Sequence, residues 1–133
     1  MRRFVLYVNG AFLAIMGGLF AVFDLLSYRL GGGPLGQLYF NDPMTVGLFE
    51  AHGLAFILGL LLLRAARSEP NAVWHGVGAA IHMVLGTSNL IFWSLFLIWD
   101  VVTAEIVVTS IHGLLAVTQV ICFVKAGRAR ASR

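Results

Sequence analysis

The sequence predicts an all-α integral membrane protein, a four-helix bundle running up-down-up-down with both termini in the cytoplasm. Three observations predict it. Of the 133 residues 59% are hydrophobic and only 11% are charged, with a mean hydropathy of +0.90, whereas soluble domains carry about 25% charged residues. The apolar residues gather into four runs, each near the ~20 residues that a hydrocarbon core requires. The charged residues stand at the ends of these runs, basic on one side and acidic on the other. The length is that of one domain. Residues 1–125 form the four-helix unit and residues 126–133 a basic, disordered cytoplasmic tail.

The first helix covers about residues 4–26, behind Arg2 and Arg3. Its apolar run exceeds the ~7 to 15 residues of a signal peptide and carries no small-x-small cleavage site, so the expectation is a retained anchor. Gly10 and Gly17, seven apart with Gly18 beside them, form a stripe that lets a neighbouring helix approach closely. Asn9 and Asp24 are the strongly polar residues of this helix. Residues 27–42 are the outer loop, in which Gly31, Gly32, Gly33, Pro34 and Gly36 alternate with Leu30, Leu35, Leu38, Tyr39 and Phe40. Glycines break regular structure while the apolar residues seek the interface, which describes an interfacial connector or, as the alternative, a lid over the bundle's outer mouth.

Asn41, Asp42 and Pro43 read as a helix start, a capping side chain followed by proline in the first turn. The second helix spans about 43–66, with Glu50, His52 and Gly53 in its outer half and Arg64 and Arg67 at its inner end. A short link through Pro70 leads to the third helix, about 72–97. A tight turn precedes the fourth, about 101–125. His52-Gly53-Leu54 and His112-Gly113-Leu114 form a faint repeat on two helices of the same direction.

Eight of the nine basic residues fall at the N-terminus, the second link and the C-terminal tail; only Arg29 is on the other side. By the positive-inside rule both termini are cytoplasmic, in the cell's inner (plasma) membrane. Of the acidic residues, only Glu69 is on the inner side. Trp93 and Trp99 suit an outer aromatic belt, Trp74 and Tyr7 an inner one. The net charge of +3 and pI near 9.6 follow from this topology, so no nucleic-acid partner is expected. The single Cys122 excludes an internal disulfide and covalent c-type haem. The only lysine, Lys125, stands at the inner end of the fourth helix, which sets retinal binding aside.

Within the apolar run from Val73 to Val124 stand six polar residues set seven apart in two series: His75, His82, Asn89, and Glu105, His112, Gln119. Seven residues are nearly two helical turns, so each series marks one stripe of one helix. Folded as an antiparallel hairpin, the stripes pair His75 with Gln119, His82 with His112, and Asn89 with Glu105. Ionisable groups at membrane depth are costly and are expected to face a cavity or a partner. The inner pair, His75 and Gln119, reads as interhelical glue. Glu50 and His52, two apart, stand about 200° around their helix and cannot share a stripe.

The first functional reading is acid–base catalysis, of isomerase or cyclase type, on an isoprenoid- or sterol-like substrate. Imidazole and carboxyl approach each other in basicity in an apolar interior, which makes proton exchange between them cheap. The candidate catalytic set is His82, His112, Glu105, Asn89, Glu50 and His52, with Trp93 and Asp24 as substrate-binding residues. Trp93 would stabilise a cationic intermediate through its π face. No cofactor or metal is expected on this reading. The alternative is a b-type haem for electron transfer, held by His52 and His112 on helices two and four; a metal site of His52, His82 and His112 is a weaker variant. The third reading is a small scaffold or accessory subunit whose polar seam fixes helix register. The expected partners are a membrane lipid or lipophilic small molecule, and a homo-oligomer or larger membrane complex.

Overall fold

A computed structural model describes residues 2–33, 36–68 and 70–131. Pro34 and Leu35 of the glycine-rich loop, Glu69, and Ser132 and Arg133 of the tail lie outside the described residues. Every regular element among the described residues is a helix: α1 (Arg2–Leu30), α2 (Gly36–Tyr39), α3 (Met44–Ser68), α4 (Ala72–Ile91), α5 (Trp93–Ile98) and α6 (Val102–Ala131). Three helices are long and apolar enough to cross a membrane, Arg2–Leu30, Met44–Ser68 and Val102–Arg128, and they mark the chain as a membrane protein. The surface agrees with this, since Phe4, Ile15, Ile57, Val84 and Leu114 are among many large apolar residues left exposed. An α4 of 20 residues is about 30 Å long but is not one of these three; it carries His75, His82 and Asn89.

The chain divides into two compact units, Tyr7–Ala65, and Met1–Leu6 with Ala66–Arg133. In the first, α1 and α3 pack antiparallel with their backbones in close approach. A Cβ placed on Gly10 would stand 2.8 Å from the Gly59 carbonyl oxygen, and one on Gly17 would stand 2.5 Å from the Phe56 nitrogen and 2.7 Å from the His52 oxygen. The glycine stripe therefore serves helix packing.

The described residues of the glycine-rich loop are held by several hydrogen bonds. α1 runs four residues past its expected end, and Gly31 and Gly33 then take φ of +63° and +90°, which glycine adopts without a Cβ penalty. The Ser27 hydroxyl donates to the Gly32 carbonyl at 2.9 Å, and the Asn41 N–H donates to the Tyr28 carbonyl at 3.2 Å. Asp42 caps α3 as its sequence suggests, its Oδ1 accepting from the Met44 N–H at 2.8 Å. Asn41 takes φ of 56° and turns the chain into that cap.

In the second unit α4 begins at Asn71, whose Oδ1 accepts from the Trp74 N–H at 3.3 Å. The expected helix over 72–97 is interrupted at Phe92, where φ is −95° and ψ is 20°, and it continues as α5. No proline or glycine stands there to announce the break. Asp100, at φ 55°, ends α5 with the left-handed residue that commonly closes a helix, and α6 follows. The tail expected to be disordered is instead helical as far as Ala131. Ala126, Arg128, Ala129, Arg130 and Ala131 are strong helix formers, and a single Gly127 costs only about 1 kcal/mol against alanine.

Candidate functional site

The α4–α6 hairpin is built by two stripes of buried residues at helical spacing: His75, Ala79 and His82 on α4, and His112, Leu115, Gln119 and Cys122 on α6. Polar contacts cross it at three levels. The His75 Nδ1–H donates to Gln119 Oε1 at 2.6 Å, and His82 Nδ1 lies 2.8 Å from His112 Nδ1. The Asn89 amide donates to Glu105 Oε2 at 3.3 Å and to the Thr109 hydroxyl at 3.0 Å. As one partner rises by seven the other falls by seven, which is an antiparallel hairpin in the register that the sequence periodicity implies. Successive layers are about 10 Å apart along the axis.

The middle layer has the most specific chemistry. The two rings are tilted by 36° with centroids 5.0 Å apart, and His82 is only 1% exposed. A contact between two Nδ1 atoms at this distance requires that one carry the hydrogen and the other the lone pair. Two neutral rings in this contact are therefore opposite tautomers, and proton gain or loss takes place at an Nε2.

A groove of about 450 Å³ runs beside this layer, with His82, Gly86, Thr87, Thr109, Gly113 and Ala116 among its lining. That volume is in the range of small-molecule sites. Its wall combines small residues with Met83, Leu90, Val117, Val120 and Ile121. A Cβ on Gly113 would meet nothing within 4 Å, and one on Gly86 would touch the His112 Cβ at 3.4 Å. His82 thus lies under a largely apolar groove, with the hydroxyl-bearing Thr87 and Thr109 in the same wall.

The outer layer holds Asn89 and Glu105 together and adds Thr109, which the heptad reading passed over. Thr109 is four residues after Glu105 and three before His112, hence on the same face. That spacing was the available signal. The inner layer, by contrast, is wholly enclosed: His75 and Gln119 are both 0% exposed. His75 Nε2 and Gln119 Nε2 make no hydrogen bond among the described residues, and neither does the side chain of Asn9.

Two expected residues meet in the Tyr7–Ala65 unit instead. The His52 Nδ1–H donates to Asp24 Oδ2 at 2.6 Å, and the His52 ring stacks on Phe20 at 5.3 Å. Asp24, read as a substrate-binding residue, is first of all the partner of an imidazole. Glu50 is exposed, which settles which of Glu50 and His52 faces a neighbouring helix. His52 and His112 belong to different compact units. Trp93 opens α5, packs edge-on against Phe96 at 5.8 Å and is not among the groove's lining residues. Among the described residues, no group of three His, Cys, Asp or Glu side chains is placed to hold a metal ion.

No protein-family model, no curated protein and no solved structure matches this chain.

Proposed function

We propose that this chain spans the membrane four times with cytoplasmic termini and shifts protons on an isoprenoid- or sterol-like lipid, as an isomerase or cyclase, at the His82–His112 pair. The orientation rests on the eight-to-one division of basic residues and on the positive-inside rule. The chemistry rests on one observation, the Nδ1-to-Nδ1 contact beside an apolar groove.

The proton count explains why such a pair suits the task. With three protons, one sits in the bridge and each Nε2 carries one. His82 Nε2 is enclosed in the structure, so the groove wall must part for it to reach the lipid; it then gives its proton to one carbon of a double bond, leaving a carbocation. The bridging proton then settles on His82 Nδ1, with His112 keeping its own on Nε2. Both rings are now neutral, and His82 Nε2 bears a lone pair. The same atom removes a proton from the neighbouring carbon, the double bond has moved, and the pair is restored with no net gain or loss. Acid and base thus differ by a short shift within one hydrogen bond, which general acid–base catalysis rewards. Glu105 serves as a positioning group whose carboxylate, held by Asn89, offsets the extra positive charge.

The test is deuterium incorporation. Protein in nanodiscs is incubated in D₂O with isoprenoid and sterol lipids, and the lipids are analysed by mass spectrometry. The expected result is deuterium at an allylic carbon, reduced about 10²- to 10⁴-fold in His82→Phe or His112→Phe, with circular dichroism unchanged. Incorporation that survives both substitutions overturns the reading. The absorption spectrum of the same preparation bears on the electron-transfer alternative. A reducible Soret band lost in His52→Ala or His112→Ala would replace acid–base chemistry by a b-type haem.

A further inference from the structure

The Asp24–His52 dyad takes no part in the α4–α6 pair, and its geometry points to a ligand of its own. Asp24 sits on α1 and His52 on α3, joined at 2.6 Å, the side chain of Asp24 being 6% exposed and that of His52 31%. The carboxylate takes the Nδ1 side of the ring, so the exposed edge is the one that carries Nε2. Phe20 holds the ring plane by stacking at 26°, and Phe23 meets Phe20 edge-on at 5.9 Å. Beside His52, a Cβ on Gly53 would meet nothing within 4 Å. The result is an aromatic surface with one open polar nitrogen.

Depth makes that nitrogen unusual. His52 is eight residues past the start of α3 and Asp24 six before the end of α1, about 12 and 9 Å from those ends. α1, at 29 residues, is longer than a hydrocarbon core of ~30 Å, so with the helices centred on such a core His52 lies inside it and Asp24 near its boundary. A polar nitrogen open to hydrocarbon is costly unless something hydrogen-bonds to it.

We propose that the Asp24–His52 dyad binds the headgroup of a membrane-soluble quinone. Proton counting favours this class. When the dyad holds two protons, one lies in the Asp24–Nδ1 bridge and the other on Nε2, which then donates to a carbonyl oxygen. When it holds one, that proton is in the bridge and Nε2 accepts from a hydroxyl. A quinone offers the carbonyl and its quinol the hydroxyl, on a flat ring that suits the Phe20 and Gly53 surface. Either form of the ligand therefore meets a matching form of the dyad, and binding needs no electron transfer. A sterol hydroxyl can also meet either form of the dyad, but it brings no flat ring to the Phe20 surface, and an alkyl chain brings neither.

The test uses the whole chain in phospholipid nanodiscs with ¹⁵N-labelled histidine and decylubiquinone as the probe. The expected result is saturable uptake above that of empty nanodiscs, together with a shift of the His52 Nε2 signal. Asp24→Asn and His52→Phe each weaken binding roughly tenfold or more, the worth of a buried hydrogen bond, while His82→Phe leaves it intact. Uptake equal to empty nanodiscs overturns the proposal, as does full affinity in both dyad variants. A His52 signal already shifted by phospholipid and unmoved by quinone assigns the nitrogen to a bilayer lipid and overturns it too. The Nε2 signal is read on the unsubstituted protein, so the test stands even where a variant fails to fold. Because His82→Phe removes only the proton-shifting pair, failure here and failure of the isomerase reading are separately visible.

Discussion

His82 Nδ1 and His112 Nδ1 lie 2.8 Å apart, closer than two lone pairs can stand, so one of these nitrogens carries a proton. This relation is a direct consequence of helix periodicity: His82 follows His75 by seven and His112 precedes Gln119 by seven, so the two reach the same level of an antiparallel pair. It also has a spectroscopic signature. In ¹⁵N spectra of the neutral pair, one ring is expected as the Nδ1–H tautomer and the other as the Nε2–H tautomer, with coupling across the bridge. Two rings in the same tautomer would sink the proton-shifting mechanism.

The inner layer should behave as glue. Gln119→Leu removes the acceptor of the His75 Nδ1–H inside a fully enclosed layer and is expected to cost about 1 to 3 kcal/mol. In a double-mutant cycle with His75→Leu the coupling should be about 0.6 to 2 kcal/mol, read from unfolding in denaturing detergent. Deuterium incorporation into lipid should survive both substitutions. Its loss at this layer would move the chemistry inward from His82.

The glycines of the α1–α3 pair should divide by the space around them. Gly17→Val drives a side chain into the backbone of His52 and Phe56, where a Cβ already falls at 2.5 Å. Overpacking of that kind costs about 1 to 3 kcal/mol. Gly47, also on α3, has nothing within 4 Å of a Cβ, so Gly47→Ala should stabilise by about 0.5 to 1 kcal/mol through helix propensity. Equal effects at the two positions would mean that α1 and α3 do not pack through Gly17.

Much of the hairpin is legible in the sequence. A seven-residue polar period inside an apolar run states both the face and the register, because each stripe must find a polar partner and only one antiparallel alignment supplies three at once. The apolar spans and the cap at Asp42 were legible for the same local reason. Other features were not. The Asp24–His52 bond joins residues 28 apart on helices whose facing sides are set by glycine close packing, and a single aspartate and a single histidine carry no period. Thr109 is ambiguous in the sequence because a threonine on an apolar helix can satisfy its hydroxyl on its own backbone, as Thr118 does on Leu115. The helical run through Ala131 was masked by its charge, which describes solvation and not backbone conformation.

The sequence by itself therefore determined the class of the protein, the positions of its apolar helices and the pairing of the polar residues on the last hairpin, since hydropathy and helical period are local and repeat. Tertiary structure alone decided which nitrogens face each other and which small residues leave a groove over His82. It also decided that Asp24 is spent on His52 while Glu50 is not. These depend on the rotation of each helix about its axis. Backbone approach at Gly10 and Gly17 and side-chain volume at Gly86, Gly113 and Ala116 fix that rotation, and packing of this kind is a property of pairs of surfaces, written in neither strand of sequence alone.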